Sequence, residues 1–131
     1  IEDLYHDFSY LNKFLNTDDI EIAYTSLELG KIYLKLKDYQ KAEDFFNKGL
    51  DIYTQNKQKN YLGIADAYYY KGIVNEHYKN QDSTRVFYEK SKVHYENIFG
   101  DSYDESYLDA ILTYSNFYSK NGIETHKIII L

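Results

Sequence analysis

A chain of 131 residues that is 44% hydrophobic is long enough for one domain with a real core, which excludes a disordered segment. No proline and only six glycines leave little turn chemistry for a β-rich fold, and runs of Leu, Lys, Glu, Ala and Gln predict an all-α protein. A net charge of −6 with Arg85 as the sole arginine leaves no basic patch for nucleic acid, and the absence of cysteine excludes disulfides, thiolate catalysis and Cys-based zinc sites.

Ile1 to about Asn16 carries Leu4, Phe8, Leu11 and Leu15, spaced by four, three and four so that all share one helical stripe. Asn16 to Asp19 then supplies cap residues and acid, with Asp18 and Glu21 at capping-box spacing. A second helix is therefore expected from near Asp19 to about Leu36, with Ala23, Ser26, Leu27, Gly30, Tyr33 and Leu34 on its inner face. After a turn at Lys37-Asp38, the residues Tyr39, Ala42, Phe46, Gly49 and Tyr53 form the seam of a helix lying lengthwise on an antiparallel neighbour. Gly49 inside that helix costs about 1 kcal/mol relative to Ala, which predicts the close approach of another backbone.

Gln55 to Asn60 is polar and without periodicity, hence a loop with Asn60 as N-cap. The pattern then restarts. Gly72 stands 42 residues after Gly30, and the same offset pairs Ile22 with Ile64, Ala23 with Ala65, Phe45 with Phe87, Phe46 with Tyr88 and Tyr53 with Tyr95. Applied backwards it lays Leu4 on Phe46, Phe8 on Leu50 and Leu11 on Tyr53, which makes residues 1–16 the second helix of a truncated unit. Full units span 19–55 and 60–98. Gly100 ends the latter as a C′ glycine, and Ser102 with Glu105 forms a capping box that opens a helix from about Tyr103 to Lys120. There an offset of 43 aligns Leu108 with Ala65 and Ser115 with Gly72. Asn121-Gly122 is the next turn, and Ile123 to Leu131 is expected to start the matching second helix of a partial unit, 103–131, although its apolar end also reads as a strand.

The unit with Leu29-Gly30 and Tyr33 in its first helix, Asp38-Tyr39 at its turn and Ala42 and Phe46 in its second helix resembles the tetratricopeptide repeat. The second copy keeps Tyr68, Gly72 and Tyr88 but has Lys71, Asn75 and Thr84 for the Leu, Tyr and Ala of the pattern. Ser26 stands where the family has an aromatic, and no proline closes any unit. A period longer than the usual length of roughly 34 residues is similar to the kinesin-light-chain-like and bacterial-sensor branches.

The resemblance implies an α-solenoid, a right-handed superhelix of antiparallel helix pairs with about seven helices and half-repeats at both ends, whose first helices line a concave groove. Carried over by position, it implies a groove lined by Tyr24, Leu27, Glu28, Lys31 and Lys35 from one unit. The next contributes Asp66, Tyr69, Tyr70, Ile73, Glu76 and His77, and the last Asp109, Leu112, Thr113, Asn116 and Lys120. The implied role is a non-enzymatic protein-protein interaction scaffold that holds a peptide segment of a protein partner. The alternative is a peptide-sensing regulatory domain of a larger bacterial regulator. The clamp with which chaperone-binding members hold a C-terminal carboxylate falls on Leu27, Lys31, Tyr70, Asp109 and Thr113, of which Lys31 alone is basic, so chaperone tails are not the expected ligand.

His6, His77, His94 and His126 include no pair at the i, i+4 spacing that zinc requires on a helix, and Gly100 to Glu105 lacks the glycine and oxygen-ligand spacing of a calcium loop. Neither a phosphate loop nor a nucleophile elbow is present, so no catalytic residue, metal or cofactor is expected. No stretch approaches the roughly 18 uninterrupted apolar residues of a membrane span. The Ile1 start and the lack of methionine point to a piece of a longer protein, and the expected compartment is the cytoplasm. Most of the seventeen tyrosines are read as packing residues with the hydroxyl at the rim. Apolar faces at the two ends, Leu4, Phe8 and Leu11 on one side and Ile128 to Leu131 on the other, predict self-association.

Overall fold

Helix-forming composition and the spacing of the caps lead to five helices among the described residues, which in this computed structural model are 20–56, 60–100, 102 and 104–122. They are α1 (Ile20–Lys35), α2 (Tyr39–Gln55), α3 (Tyr61–His77), α4 (Gln81–Phe99) and α5 (Glu105–Lys120), and no strand occurs among the described residues. The helix expected over 1–16, the cap at Asp18 and the segment Ile123–Leu131 lie outside them.

Four of the helix starts have a side-chain cause. Asp38, Asn60 and Asn80 accept from the backbone N–H three residues on, at 3.2, 2.8 and 3.2 Å, the bond that satisfies one of the orphan donors of a first helical turn. At α5 the cap is Asp104, bonded to the Ser106 N–H at 2.9 Å, and not Ser102 as its spacing to Glu105 predicts. The Ser102 N–H instead donates to the Phe99 carbonyl at 2.8 Å, after α4 ends at Gly100 with φ +55°, so it is not free for a capping box.

The two complete hairpins turn identically. Lys37 and Lys79, 42 residues apart, are left-handed at φ +64° and +59°, and Gly122, a further 43 on, repeats the conformation at +70°. In each lysine turn the next residue's N–H reaches back five residues, Asp38 to the Tyr33 carbonyl at 2.9 Å and Asn80 to that of Asn75 at 3.0 Å, closing a Schellman motif whose last residue also caps the following helix. The offsets of 42 and 43 read from side-chain identities therefore hold for the backbone.

Consecutive helices are antiparallel, since each step forward along one is matched by a step back along the next: Gly30 meets Phe46 while Ala23 meets Gly49, and Tyr53 meets Gly63 while Tyr39 meets His77. Three contacts between consecutive helices seat an aromatic ring on a helical glycine. A Cβ on Gly30 would lie 2.5 Å from Phe46 Cε1, one on Gly63 2.6 Å from Tyr53 Cε2, and one on Gly72 would drive into the Tyr88 ring. Gly49 answers the expectation of a close backbone, with the Ala23 carbonyl oxygen 3.1 Å and Leu27 Cδ2 2.9 Å from where its Cβ would stand.

The core has two parts that share α3. Between α1, α2 and α3 it is mainly aliphatic, with Ile22, Leu27, Leu29, Leu50, Ile52, Ile64 and Val74 around Phe46 and Tyr53. Between α3, α4 and α5 it is aromatic, with Tyr88, Tyr95, Tyr107, Tyr114, Phe117 and Tyr118 and only two alanines among its buried members. Because neighbours alternate in direction, α1, α3 and α5 run parallel, and they touch side by side: Lys31 lies over the Tyr70 ring, and Tyr69 bonds Thr113.

Two substitutions follow. Gly72→Ala gains about 1 kcal/mol of helix propensity but forces a methyl into Tyr88, which is 1% exposed and cannot swing away, so the unfolding free energy from a urea titration should fall by a net of about 1–2 kcal/mol. Lys79→Gly, at an exposed left-handed position, should instead raise stability by up to about 1 kcal/mol in the same titration.

Candidate functional site

The row formed by α1, α3 and α5 carries all the residues implied as groove-lining, and the structure sorts them into two kinds. On its open face Tyr24 is 61% exposed, Lys35 and Asn116 are exposed, and Lys31 pairs with Glu28 at 3.1 Å while its ammonium stands 5.4 Å above the centre of the Tyr70 ring. Tyr70 is stacked on Phe46 at 5.3 Å, so the core below holds the ring that the cation uses. Asp66, half-buried beside them, accepts from the Tyr95 hydroxyl of α4. These residues, Glu28, Lys31, Asp66 and Tyr70, are brought together from helices far apart in sequence.

Other implied residues serve the packing. Leu27 is only 5% exposed and fills the space over Gly49, because its helix turns that side toward α2; it belongs to the core and not to the groove. Tyr69 is wedged among Tyr70, Tyr88 and Tyr114, and its hydroxyl meets the Thr113 hydroxyl at 2.9 Å. Ile73 packs on the aromatic core, and Glu76 accepts from the Tyr88 hydroxyl at 2.7 Å. His77, exposed at the end of α3, is stacked at 4.5 Å on Tyr39, the first residue of α2. Leu112, 63% exposed, holds the position of Leu27 and Tyr69 in its unit, a position that both earlier units use for packing.

Charge on the open face is balanced locally. Burial pulls the Lys31 ammonium down, but its bond to Glu28 and the nearby Tyr70, Glu28 and Asp66 outweigh that, so its pKa is raised. Burial pushes the Asp66 carboxyl up, opposed by the Tyr95 hydroxyl and Lys31. Two depressions adjoin the row. One of about 240 Å³ is lined by Glu76, Lys79, Gln81, Thr84, Phe117, Lys120 and Asn121, and one of about 440 Å³ by Ile20, Glu21, Tyr24, Thr25, Tyr53 and Asn60. Among the described residues no group of three His or acidic side chains could hold a metal ion, and no helix is long and apolar enough to cross a membrane.

Sequence reasoning missed Tyr95 as the partner of Asp66 and Phe46 as the support of Tyr70. The first pair is 29 residues apart and the second 24, on different helices, so periodicity within a helix carries no trace of them. The internal repeat held a usable signal, since Phe46 and Tyr88 are equivalent and both press on a glycine.

The hydroxyls of this cluster set an alkaline limit. Burial holds the phenols of Tyr88, Tyr95 and Tyr114 well above the usual range, and pushes Tyr53 and Tyr118 up to about 12. An unfolded tyrosine ionises near pH 10, so above that pH the folded chain holds more protons than the unfolded one and stability falls as pH rises. Three such phenols give a slope of about 4 kcal/mol per pH unit, enough to exhaust an ordinary domain within a few units. The tyrosinate absorbance of these buried phenols should therefore appear only together with loss of the helical circular dichroism, in one cooperative step above about pH 10. Titration of all seventeen phenols while the helical signal stays intact would contradict this burial. No family model matches the chain, and no curated protein or solved structure is significantly similar to it.

Proposed function

We propose that this chain is a non-enzymatic protein-interaction scaffold of the tetratricopeptide type, a right-handed stack of helix pairs that holds a peptide segment of a partner protein along the row of α1, α3 and α5. The observation that carries the reading is the side-by-side contact of three parallel helices, Lys31 on Tyr70 and Tyr69 on Thr113, in which Tyr70 and Thr113 hold equivalent places in successive units. Repeated left-handed turns and ring-on-glycine seats support the helix-pair repeat.

A face of this composition suits an extended or helical peptide. Exposed Tyr24 and half-buried Tyr70 offer broad rings for apolar side chains, while Glu28, Lys31 and Asp66 offer charges of both signs that set direction along the row. The Tyr70 ring is held by Phe46 below it, so little side-chain entropy is lost there on binding.

The test is a selection of peptides from a displayed random library on the intact chain, followed by calorimetry. Tyr24→Ala and Lys31→Glu should each weaken a selected peptide at least tenfold, about 1.4 kcal/mol, with unchanged helical circular dichroism, because Tyr24 is exposed and Lys31 is held by a surface pair. Selected peptides whose affinity ignores both changes would place the binding face elsewhere and overturn the reading.

A further inference from the structure

The depression of about 240 Å³ beside the turn between α3 and α4 lies at a place that the preceding interface, between α2 and α3, fills with rings. There His77 is stacked on Tyr39 at 4.5 Å, and Tyr78 stands edge-on to Tyr39 at 6.1 Å. Carried forward by the offsets of 42 and 43, these three positions fall on Gln81, Lys120 and Asn121, all of which line the depression and none of which has a ring. Phe117 and Thr84 replace the smaller Val74 and Ala42 on its floor, yet the space remains. Its α5 wall is the side turned to α4, where Phe117 meets Tyr88 at 5.5 Å. The matching side of α3 faces Tyr39 of α2, whereas α4, which the residues after Gly122 match by the repeat, lies against the Gly72 side.

Shape and charge together name the ligand. A cavity of about 150 Å³ is enough for benzene, so one of about 240 Å³ holds a single ring with a short substituent. The buried Phe117 ring supplies an apolar floor, and the amides of Gln81 and Asn121, joined at 2.5 Å, supply a polar edge. Two exposed ammoniums line the depression, Lys79 and Lys120, neither of them ion-paired among the described residues. They face one carboxylate, Glu76, which already accepts from the Tyr88 hydroxyl at 2.7 Å. The surplus is one positive charge, which suits a monoanion such as a carboxylate better than a phosphate dianion.

We propose that this depression binds a small aromatic carboxylate, whose ring takes the place of the missing ring pair and whose carboxylate is turned to Lys79 and Lys120. The proposal does not rest on the peptide-binding reading, whose test residues Tyr24 and Lys31 are on α1.

Phenylacetate, titrated into the isotope-labelled full chain and followed by its amide chemical shifts, tests it. The shifts should saturate with a dissociation constant of about 1 mM or below, and should lie at the ends of α3 and α5 and the start of α4. Acetate, which has the charge without the ring, should bind at least about tenfold more weakly, and phenylacetamide, which has the ring without the charge, about fivefold more weakly. Gln81→Tyr, which returns the ring of the first unit, should abolish binding with unchanged helical circular dichroism. Lys120→Gln, an exposed change that leaves the floor intact, should weaken phenylacetate about threefold and leave phenylacetamide unaffected. No saturable shift up to about 10 mM, binding that survives Gln81→Tyr, or acetate held as tightly as phenylacetate would each overturn the proposal.

Discussion

Where an aromatic ring is seated on a helical glycine, two helices lie closer than any Cβ allows, and three of the four interfaces between consecutive helices among the described residues are built that way. Phe46 on Gly30 joins α1 to α2, Tyr53 on Gly63 joins α2 to α3, and Tyr88 on Gly72 joins α3 to α4. Each glycine weakens its own helix by about 1 kcal/mol, and the buried ring offsets that by removing a large apolar surface from water. The geometry passes from one interface to the next, because a ring on one side of α2 and a glycine on one side of α3 set where the following helix must lie. At the α4–α5 interface no glycine is available, and Ser91, which stands where the first unit has Gly49, instead joins its hydroxyl to that of Tyr114.

That substitution typifies how the second unit differs from the first. Phe46 becomes Tyr88, whose added hydroxyl donates to Glu76, and Tyr53 becomes Tyr95, whose hydroxyl donates to Asp66. The aliphatic core of the first unit gives way to one of rings with polar tips, and among the described residues no buried side-chain polar atom lacks a hydrogen-bond partner. Hydroxyls that end on carboxylates at the rim let the interior remain apolar while linking α3, α4 and α5. The abundance of tyrosine is thus mostly a property of one half of the core, and it also supplies the rings on the open face of the odd-numbered helices.

Much of the candidate face was legible from residue spacing, and the failures share a cause. Tyr24, Lys31, Asp66 and Tyr70 were identified by their place in the unit, and they do share the open face or its edge. Leu27 and His77 were drawn from the same helices, but Leu27 fills the gap over Gly49 and His77 stacks on Tyr39. Positions near the border of a helical stripe go to whichever neighbour leaves room, and that room is created by a residue on another helix. The misplaced cap of α5 arose similarly, since the turn after Gly100 consumed the Ser102 N–H before a capping box could form.

The sequence by itself determined the helices, their turns and the period of the repeat, because caps, left-handed turn residues and apolar stripes act over a few residues and leave their spacing in the chain. Only the tertiary structure decided which tyrosines became struts and which stayed open, and that Asp66 answers to Tyr95 and Tyr70 to Phe46. Those choices depend on the distance between helix axes. That distance is set by rings meeting glycines on different helices, and no local spacing within one helix records it.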